Sequence, residues 1–118
     1  NIYVGECQAN SGDITQSSTI VRLASTASTS DTFYNNYCIG IYDGNARFNI
    51  SRVSDYDAVT AGGITKKLTV SPAFTDKGYG TTTAQAGDAT DSFYYIGCVS
   101  NDFTINDITI VYRAKRIK

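Results

Sequence analysis

The chain has 118 residues, with ten Lys and Arg against eleven Asp and Glu, a length that suits one domain with a sizeable hydrophobic core. It contains no His, so a Ser-His-Asp triad, a Cys-His dyad and any His-ligated metal site are excluded. Nine Tyr and five Phe favour β structure, because aromatic side chains fit a pleated surface.

Alternating apolar and polar residues predict short strands in the first half of the chain. One strand is expected over Thr19–Leu23 and another over Tyr37–Tyr42, which ends at Asp43-Gly44, a dipeptide typical of tight hairpin turns. The return strand is predicted over Arg47–Val53, and its last residue is out of phase, as at a β-bulge.

The second half of the chain continues the same pattern. A strand is predicted over Ile64–Val70, after the turn residues Gly62-Gly63, and Pro72 ends it because proline cannot donate to a sheet. Phe93–Val99 is typical of a central strand, and Ile108–Tyr112 begins a final one. Six to eight short strands predict an all-β fold, either a small antiparallel β-sandwich or a β-barrel.

The segment Thr75–Asp91 is interpreted as a long exposed loop, since it combines three glycines with a run of threonines. Loops of this length in compact domains are commonly functional or covered by a neighbour. We therefore predict that it contacts a partner through Tyr79, Thr81, Thr82 and Thr83, with a solvated loop as the alternative.

The C-terminus carries an uneven share of the charge. Four of the ten basic residues, Arg113, Lys115, Arg116 and Lys118, lie in the last six positions, which leaves six basic and eleven acidic residues in 1–112. Their alternation with apolar residues favours an edge strand or a docking arm over residues 108–118, with a solvated end as the alternative. Nucleic-acid binding is disfavoured, because four charges neutralise few phosphates and the rest of the domain repels them.

No constellation of residues indicates catalysis. Asp55 and Asp57 flank Tyr56, and Asp88 and Asp91 flank a predicted turn, but general acid-base work needs carboxyls whose environments separate their pKa values. Nothing in the sequence indicates that either pair is buried, and no calcium or phosphate loop is complete. The prediction is a protein that is not an enzyme, with no catalytic residue, metal ligand or cofactor.

The three cysteines, Cys7, Cys38 and Cys98, show no CxxC spacing. They are predicted to be small buried thiols, and one disulfide with a leftover thiol is the alternative.

Several blocks of the sequence follow one another in a set order: a Ser/Thr/Ala-rich strand, Asp-x-(Phe/Tyr)-Tyr-Asn and a strand ending in a glycine turn. A basic position, filled by Arg47 or Arg52, and a strand of the type Lys-x-x-Thr-Val-x-Pro-x-(Phe/Trp) come next. The blocks are Ser18–Ala24, Ala27–Asn35, Ile39–Gly44, Lys67–Phe74 and Tyr94–Ile96. This set resembles a module found in head-decoration, head-fibre and tail-fibre proteins of tailed bacteriophages, and it covers residues 17–97 of a single domain over 1–118. Relative to that module, residues 55–63 are interpreted as an insert. The resemblance implies a structural virion protein without a catalytic residue.

From this resemblance we expect a capsid decoration (cement) protein that binds the assembled shell, located in the virion after assembly in the host cytoplasm. Its expected partners are the major capsid protein and copies of itself in a homotrimer, with no membrane. The alternative is a tail-fibre or receptor-binding module whose outward tyrosines contact host glycans. A secreted hydrolase, the third class, would need a carboxylate pair in a pocket.

Overall fold

The alternating segments pair into one curled antiparallel sheet with the shape of a half-barrel, as the computed structural model shows for residues 2–11, 13–78, 82–84 and 92–97. The strands are β1 (Tyr3–Glu6), β2 (Ile20–Arg22), β3 (Cys38–Asp43), β4 (Ile50–Thr60), β5 (Gly63–Ser71) and β6 (Phe93–Ile96). Their order across the sheet is β1-β6-β3-β4-β5-β2. No helix occurs in these ranges, so the all-β prediction is confirmed, and a single sheet corresponds to its barrel alternative.

The inner face of the sheet carries the main core. The four inner strands of the sheet, β6, β3, β4 and β5, each contribute side chains with almost no exposure. They include Ile39, Ile41, Val53, Tyr56, Leu68, Val70, Tyr94 and Ile96. A smaller cluster on the outer face joins Cys38 and Tyr95 to the partly buried Tyr42, Phe48 and Ile50. Because β6 lies between β1 and β3 with apolar groups on both faces, its sequence lacks the alternation of a half-exposed strand.

Two adjacent tyrosines of β6 each lie opposite a glycine of a neighbouring strand. Tyr94 pairs with Gly5 of β1, and Tyr95 pairs with Gly40 of β3. A Cβ atom on Gly5 would lie 2.7 Å from Tyr94 Oη and 2.9 Å from the Cβ atom of Ala24. The Tyr94 side chain therefore occupies the space that any larger residue at position 5 would need.

The two ends of the sheet approach each other just after β1. Gln8 donates its peptide N–H to Arg22 O (3.0 Å) and its side-chain amide to Leu23 O (2.8 Å). The buried Gln16 donates to Gln8 O (2.6 Å) and accepts from the Arg22 N–H (2.8 Å). These bonds curl the sheet by joining the segment after β1 to β2.

Tyrosine hydroxyls hold the Ser/Thr/Ala-rich segment 24–32, for which the sequence predicts no element. Its peptide groups bond to three buried side chains: Tyr94 Oη accepts from the Ala24 N–H (3.1 Å), Tyr34 Oη accepts from the Ser28 N–H (3.0 Å), and Tyr56 Oη donates to Ser28 O (2.6 Å). The buried Lys66 ammonium donates to Ala27 O. Small side chains suit this segment because its backbone lies directly against the rings.

The hairpin predicted at Asp43-Gly44 is present, but its connection is longer than a tight turn. Strand β4 begins only at Ile50, because residues 44–49 form a loop around the buried Asn49. The Asn49 amide donates to Ala46 O and to Thr75 O, both at 2.9 Å, and its oxygen accepts from the Thr75 N–H. The prediction of a strand that starts at Arg47 is therefore wrong.

Strand β4 also runs through most of the predicted insert, as far as Thr60. The bulge expected at Val53 is confirmed, since the pairing with β5 shifts between Val53 and Asp55. The predicted strand over Ile64–Val70 is confirmed as β5, which ends directly before Pro72. Strand β1 was not predicted, and Ile108–Tyr112 lies outside the described residues.

Candidate interaction surface

The most exposed apolar pair in the described part of the chain lies at the tip of the β4–β5 hairpin. Val59 and Ile64 are direct cross-strand partners, and they are 51% and 60% exposed. Side chains in such positions have Cβ atoms about 5 Å apart and so form one continuous surface. The two β-branched residues form a small exposed apolar surface. We call Val59, Ile64 and the turn residues 60–63 between them the hairpin tip.

A β-bulge just below the hairpin tip is supported by an aspartate from another segment. The pairing of β4 with β5 shifts between Asp57 and Val59, where Ala58 of β4 lies opposite two residues of β5, Thr65 and Lys66. The carboxylate of Asp31 accepts from the Ala58 N–H (2.8 Å) and the Val59 N–H (3.3 Å). Asp31 therefore satisfies backbone donors that the irregular ladder leaves without a strand partner.

A second aspartate holds the turn of the hairpin. The Asp13 carboxylate accepts from the Thr60 hydroxyl and from the Gly62 N–H, the latter at 3.1 Å. These hydrogen bonds lower the pKa of Asp13 below its ordinary value of 3.8. A Cβ atom on Gly62 would lie 2.5 Å from the Asp13 Cβ atom, so the close approach requires glycine. Both aspartates hold the hairpin tip in a fixed conformation before any partner binds.

Carboxylates flank this apolar surface. Partial burial raises the pKa of Asp57, and the nearby carboxylates Asp55 and Asp31 add to the increase, while Lys67 opposes it. Asp55 and Asp57 interact with each other on β4, so the carboxylate pair noted in the sequence does come together. Asp57 is largely solvated, and the pair lies beside the hairpin tip. A partner at this surface would meet an apolar centre with acidic neighbours.

A second surface lies at the start of β1. Ile2 and Val4 are 52% and 51% exposed on one face of the strand, and on the opposite face the ring of Tyr3 contacts Phe33 at a centroid distance of 5.7 Å. Phe33 is 42% exposed and packs edge-on against the buried Tyr34 at 4.9 Å. This aromatic group also includes Tyr37 and Tyr56. Its partial exposure makes it the second candidate contact area.

Of the partner-binding residues predicted from the sequence, only Thr82 and Thr83 fall within the described ranges. Both are half-buried and precede Ala84, which is completely buried in the main core. Tyr79, Thr81, Arg113, Lys115, Arg116 and Lys118 lie outside the described residues. Most of the predicted contact loop and all four basic residues of the predicted C-terminal arm thus lie outside the described part of the chain.

Reactive groups are sparse in the described part of the chain. Cys7 and Cys38 are buried thiols, as predicted, whereas Cys98 lies outside the described residues. Burial raises the pKa of Cys7 to about 12, with a smaller contribution from Glu6, so this thiol stays protonated at neutral pH. Within the described ranges, no three Cys, Asp or Glu residues are placed to hold a metal ion, and no helix could cross a membrane.

No pattern in the sequence indicated Val59, Ile64, Asp13 or Asp31 as site residues. Gly62-Gly63 did signal the turn, but the turn is centred on Ala61-Gly62, so counting outward from the two glycines would have placed Val59 opposite Lys66 instead of Ile64. Comparisons with protein-family models, with curated proteins and with solved structures find no match to this chain.

Proposed function

We propose that the protein is a structural component of a bacteriophage particle, a decoration protein that binds the assembled capsid through the hairpin tip. The observation that carries this proposal is the pair Val59 and Ile64, more than half exposed on a hairpin that Asp13 and Asp31 hold in place. The proposal also rests on the resemblance of residues 17–97 to phage virion modules. Its partners are the major capsid protein and copies of this chain in a homotrimer.

The proposed mechanism is burial of surface without chemistry. Covering the exposed halves of Val59 and Ile64 contributes about 2 kcal/mol per copy, a weak interaction by itself. The hairpin tip is already ordered, so binding there immobilises few further side chains. Many copies on a repeating lattice, or three in one trimer, multiply a weak contact into stable attachment.

The test is the occupancy of purified capsids of the phage that encodes this chain. The double variant V59S/I64S should lose at least about tenfold in apparent affinity, since removing roughly 2 kcal/mol has that effect. V4S is the matched control, because Val4 is the same residue type and equally exposed, but lies on β1. Unchanged occupancy of V59S/I64S, or equal losses in both variants, would contradict the role of the hairpin tip.

The basic terminus provides a second test of the same proposal. Deleting residues 113–118 should weaken attachment if the arm docks on the capsid, and this loss should add to that of V59S/I64S. If the protein binds no capsid under any condition, the decoration role itself is wrong.

A receptor-binding role is the second candidate, and the aromatic group around Tyr3 and Phe33 favours it. Exposed aromatic rings provide flat apolar area that suits the faces of sugar rings. Phe33 is 42% exposed and its ring is fixed by Tyr3 and Tyr34. Binding of the purified protein to a glycan array, abolished by F33A and retained by V59S, would support this role over capsid attachment.

A further inference from the structure

Asp43 is followed by glycine, and no other Asp or Asn of the chain is. The peptide nitrogen of a following glycine is the least hindered one that a side-chain carboxyl can meet, because glycine has no Cβ atom beside it. Attack of this nitrogen on the carboxyl carbon closes a five-membered succinimide ring, through which aspartate is converted to isoaspartate. The dipeptide that begins the β3–β4 connection is therefore also a reactive pair.

The structure holds the two reacting groups of this pair close together. The Gly44 N–H donates to Asp43 Oδ1 at 2.9 Å. Because Oδ1 is one bond from Cγ, the nitrogen lies no more than about 4 Å from the carbon that it attacks. Reacting atoms held about 3–3.5 Å apart avoid much of the barrier that a separate nucleophile would meet. The Asp43 side chain thus starts near the geometry of ring closure.

The surroundings of Asp43 permit this reaction. Its side chain is 60% exposed, so water reaches the ring for the second step. Arg47 Nη1 lies 3.7 Å from Asp43 Oδ1, and an exposed ion pair of this kind is too weak to hold the carboxyl in place. Asp43 is also the last residue of β3, and the pairing with β6 is irregular between Ile41 and Asp43. The main chain can therefore adjust there without breaking a regular ladder.

Asp31 is the contrasting case. It is followed by the β-branched Thr32, whose side chain crowds the peptide nitrogen. The Asp31 carboxylate accepts from the Ala58 N–H at 2.8 Å and the Val59 N–H at 3.3 Å, so it is held against β4. The Thr32 N–H donates instead to Tyr56 O at 2.8 Å. Neither reacting group at this position is directed at the other.

We propose that Asp43 of the folded protein is a site of spontaneous modification, at which aspartate converts to isoaspartate through a succinimide. In the first step the Gly44 nitrogen bonds to Cγ of the neutral carboxyl, and the Cγ–OH bond breaks, so that water leaves with the proton of the nitrogen. In the second step water adds to the main-chain carbonyl carbon of Asp43, and the bond between that carbon and the nitrogen breaks. The main chain then runs through Cγ, and the former main-chain carbonyl is the free carboxyl. The reaction needs no co-reactant besides water, and the inference does not depend on the proposed capsid role.

The modification lengthens the main chain by one methylene between β3 and the loop 44–49. Two hydrogen bonds close this loop onto β3: the Phe48 N–H donates to Ile41 O at 2.7 Å, and the Ile41 N–H donates to Asn49 O at 3.0 Å. The added atom lies between these anchors, so the loop must bulge or one of the bonds must break. We expect the modified chain to unfold at a lower urea concentration than the unmodified chain.

The test is to incubate the folded full chain at physiological temperature and pH in water enriched in heavy oxygen, and then to digest it with trypsin for mass spectrometry. Cleavage after Arg22 and Arg47 gives a single peptide, 23–47, that contains both Asp43 and Asp31. Fragmentation of this peptide should show isoaspartate with one heavy oxygen atom at Asp43, at least about tenfold more than at Asp31. The isoaspartate should also accept a methyl group from S-adenosylmethionine in the presence of protein isoaspartyl methyltransferase.

D43E is the matched control, because it keeps the negative charge beside Arg47 but needs a less favourable six-membered ring. It should neither take up heavy oxygen nor be methylated at position 43. Absence of isoaspartate from the folded wild type would overturn the proposal, whatever the same chain forms in urea. So would equal uptake of heavy oxygen at Asp31 and Asp43, because the contacts of Asp43 would then have no effect.

Discussion

Replacing Gly5 by alanine tests the packing of β1 on β6 with a single methyl group. The added Cβ atom would lie 2.7 Å from Tyr94 Oη, 2.9 Å from Tyr94 Cζ and 2.9 Å from the Ala24 Cβ atom. Ordinary carbon contacts are about 3.5–4.0 Å, so at least one neighbour must move. Tyr94 has little room to do so, because it is 2% exposed and its hydroxyl accepts the Ala24 N–H.

The magnitude follows from three contributions. Overpacking a well-packed core costs about 1–3 kcal/mol. Displacing the ring also weakens the hydrogen bond from the Ala24 N–H, worth about 1 kcal/mol. The reduced entropy of the unfolded chain returns about 0.4–1 kcal/mol in a Gly-to-Ala change. We expect G5A to lower the free energy of unfolding by about 2 kcal/mol, and to lower the Tm by roughly 6–10 °C.

The assay is urea unfolding of the wild type, G5A, Y94F and G5A/Y94F, analysed as a double-mutant cycle. Removing the hydroxyl in Y94F relieves one of the close contacts, so G5A should cost about 1 kcal/mol less in that background. Equal costs in both backgrounds, or a G5A variant as stable as the wild type, would refute the packing of Tyr94 over Gly5.

Three further predictions concern the polar groups that hold the loops and the hairpin tip. D31A should lower the free energy of unfolding by about 1–3 kcal/mol in urea unfolding, because the buried Ala58 loses its acceptor, and D31N should cost less because it keeps one. T60A should raise the pKa of Asp13 in an NMR titration; in the wild type, the contribution of Asp13 to stability is present above pH 3.8 and is lost as pH falls through its lowered pKa. Burial raises the pKa of Tyr56 and Tyr94 above the ordinary value of 10.0, so their contribution to stability is fully present below pH 10 and should fall above it, as circular dichroism at increasing pH would show. A flat alkaline stability profile would contradict the burial of these hydroxyls.

The strands that the sequence predicts best are those with a local signal. Strand β5 lies between a glycine turn and Pro72, and β2 alternates within five residues, so both follow from neighbouring positions. Strand β1 has no such signal, because it is four residues long and contains Gly5. Its partner β6 lies about 90 positions away, and only that pairing makes the segment a strand.

The candidate site was harder to predict for a similar reason. Asp13 and Asp31 lie in polar segments where aspartate usually serves a local turn, and nothing nearby shows that they accept from backbone groups of the hairpin tip. The donors lie 27 and 49 positions further along the chain. The pairing of Val59 with Ile64 was missed for two reasons: residues 55–63 were interpreted as an insert, and the turn is centred one position before the Gly62-Gly63 pair.

Tyr94 and Tyr95 of β6, each paired with a glycine, also determine how this strand can align with β1 and β3. A shift of one position against β1 would bring Tyr94 opposite Val4 or Glu6, and the same shift against β3 would bring Tyr95 opposite Ile39 or Ile41. Each of these positions already carries a side chain where Gly5 and Gly40 carry none. A one-residue misalignment would therefore be penalised on both faces of the sheet, so the two tyrosine–glycine pairs favour a single alignment of β6 with its neighbours.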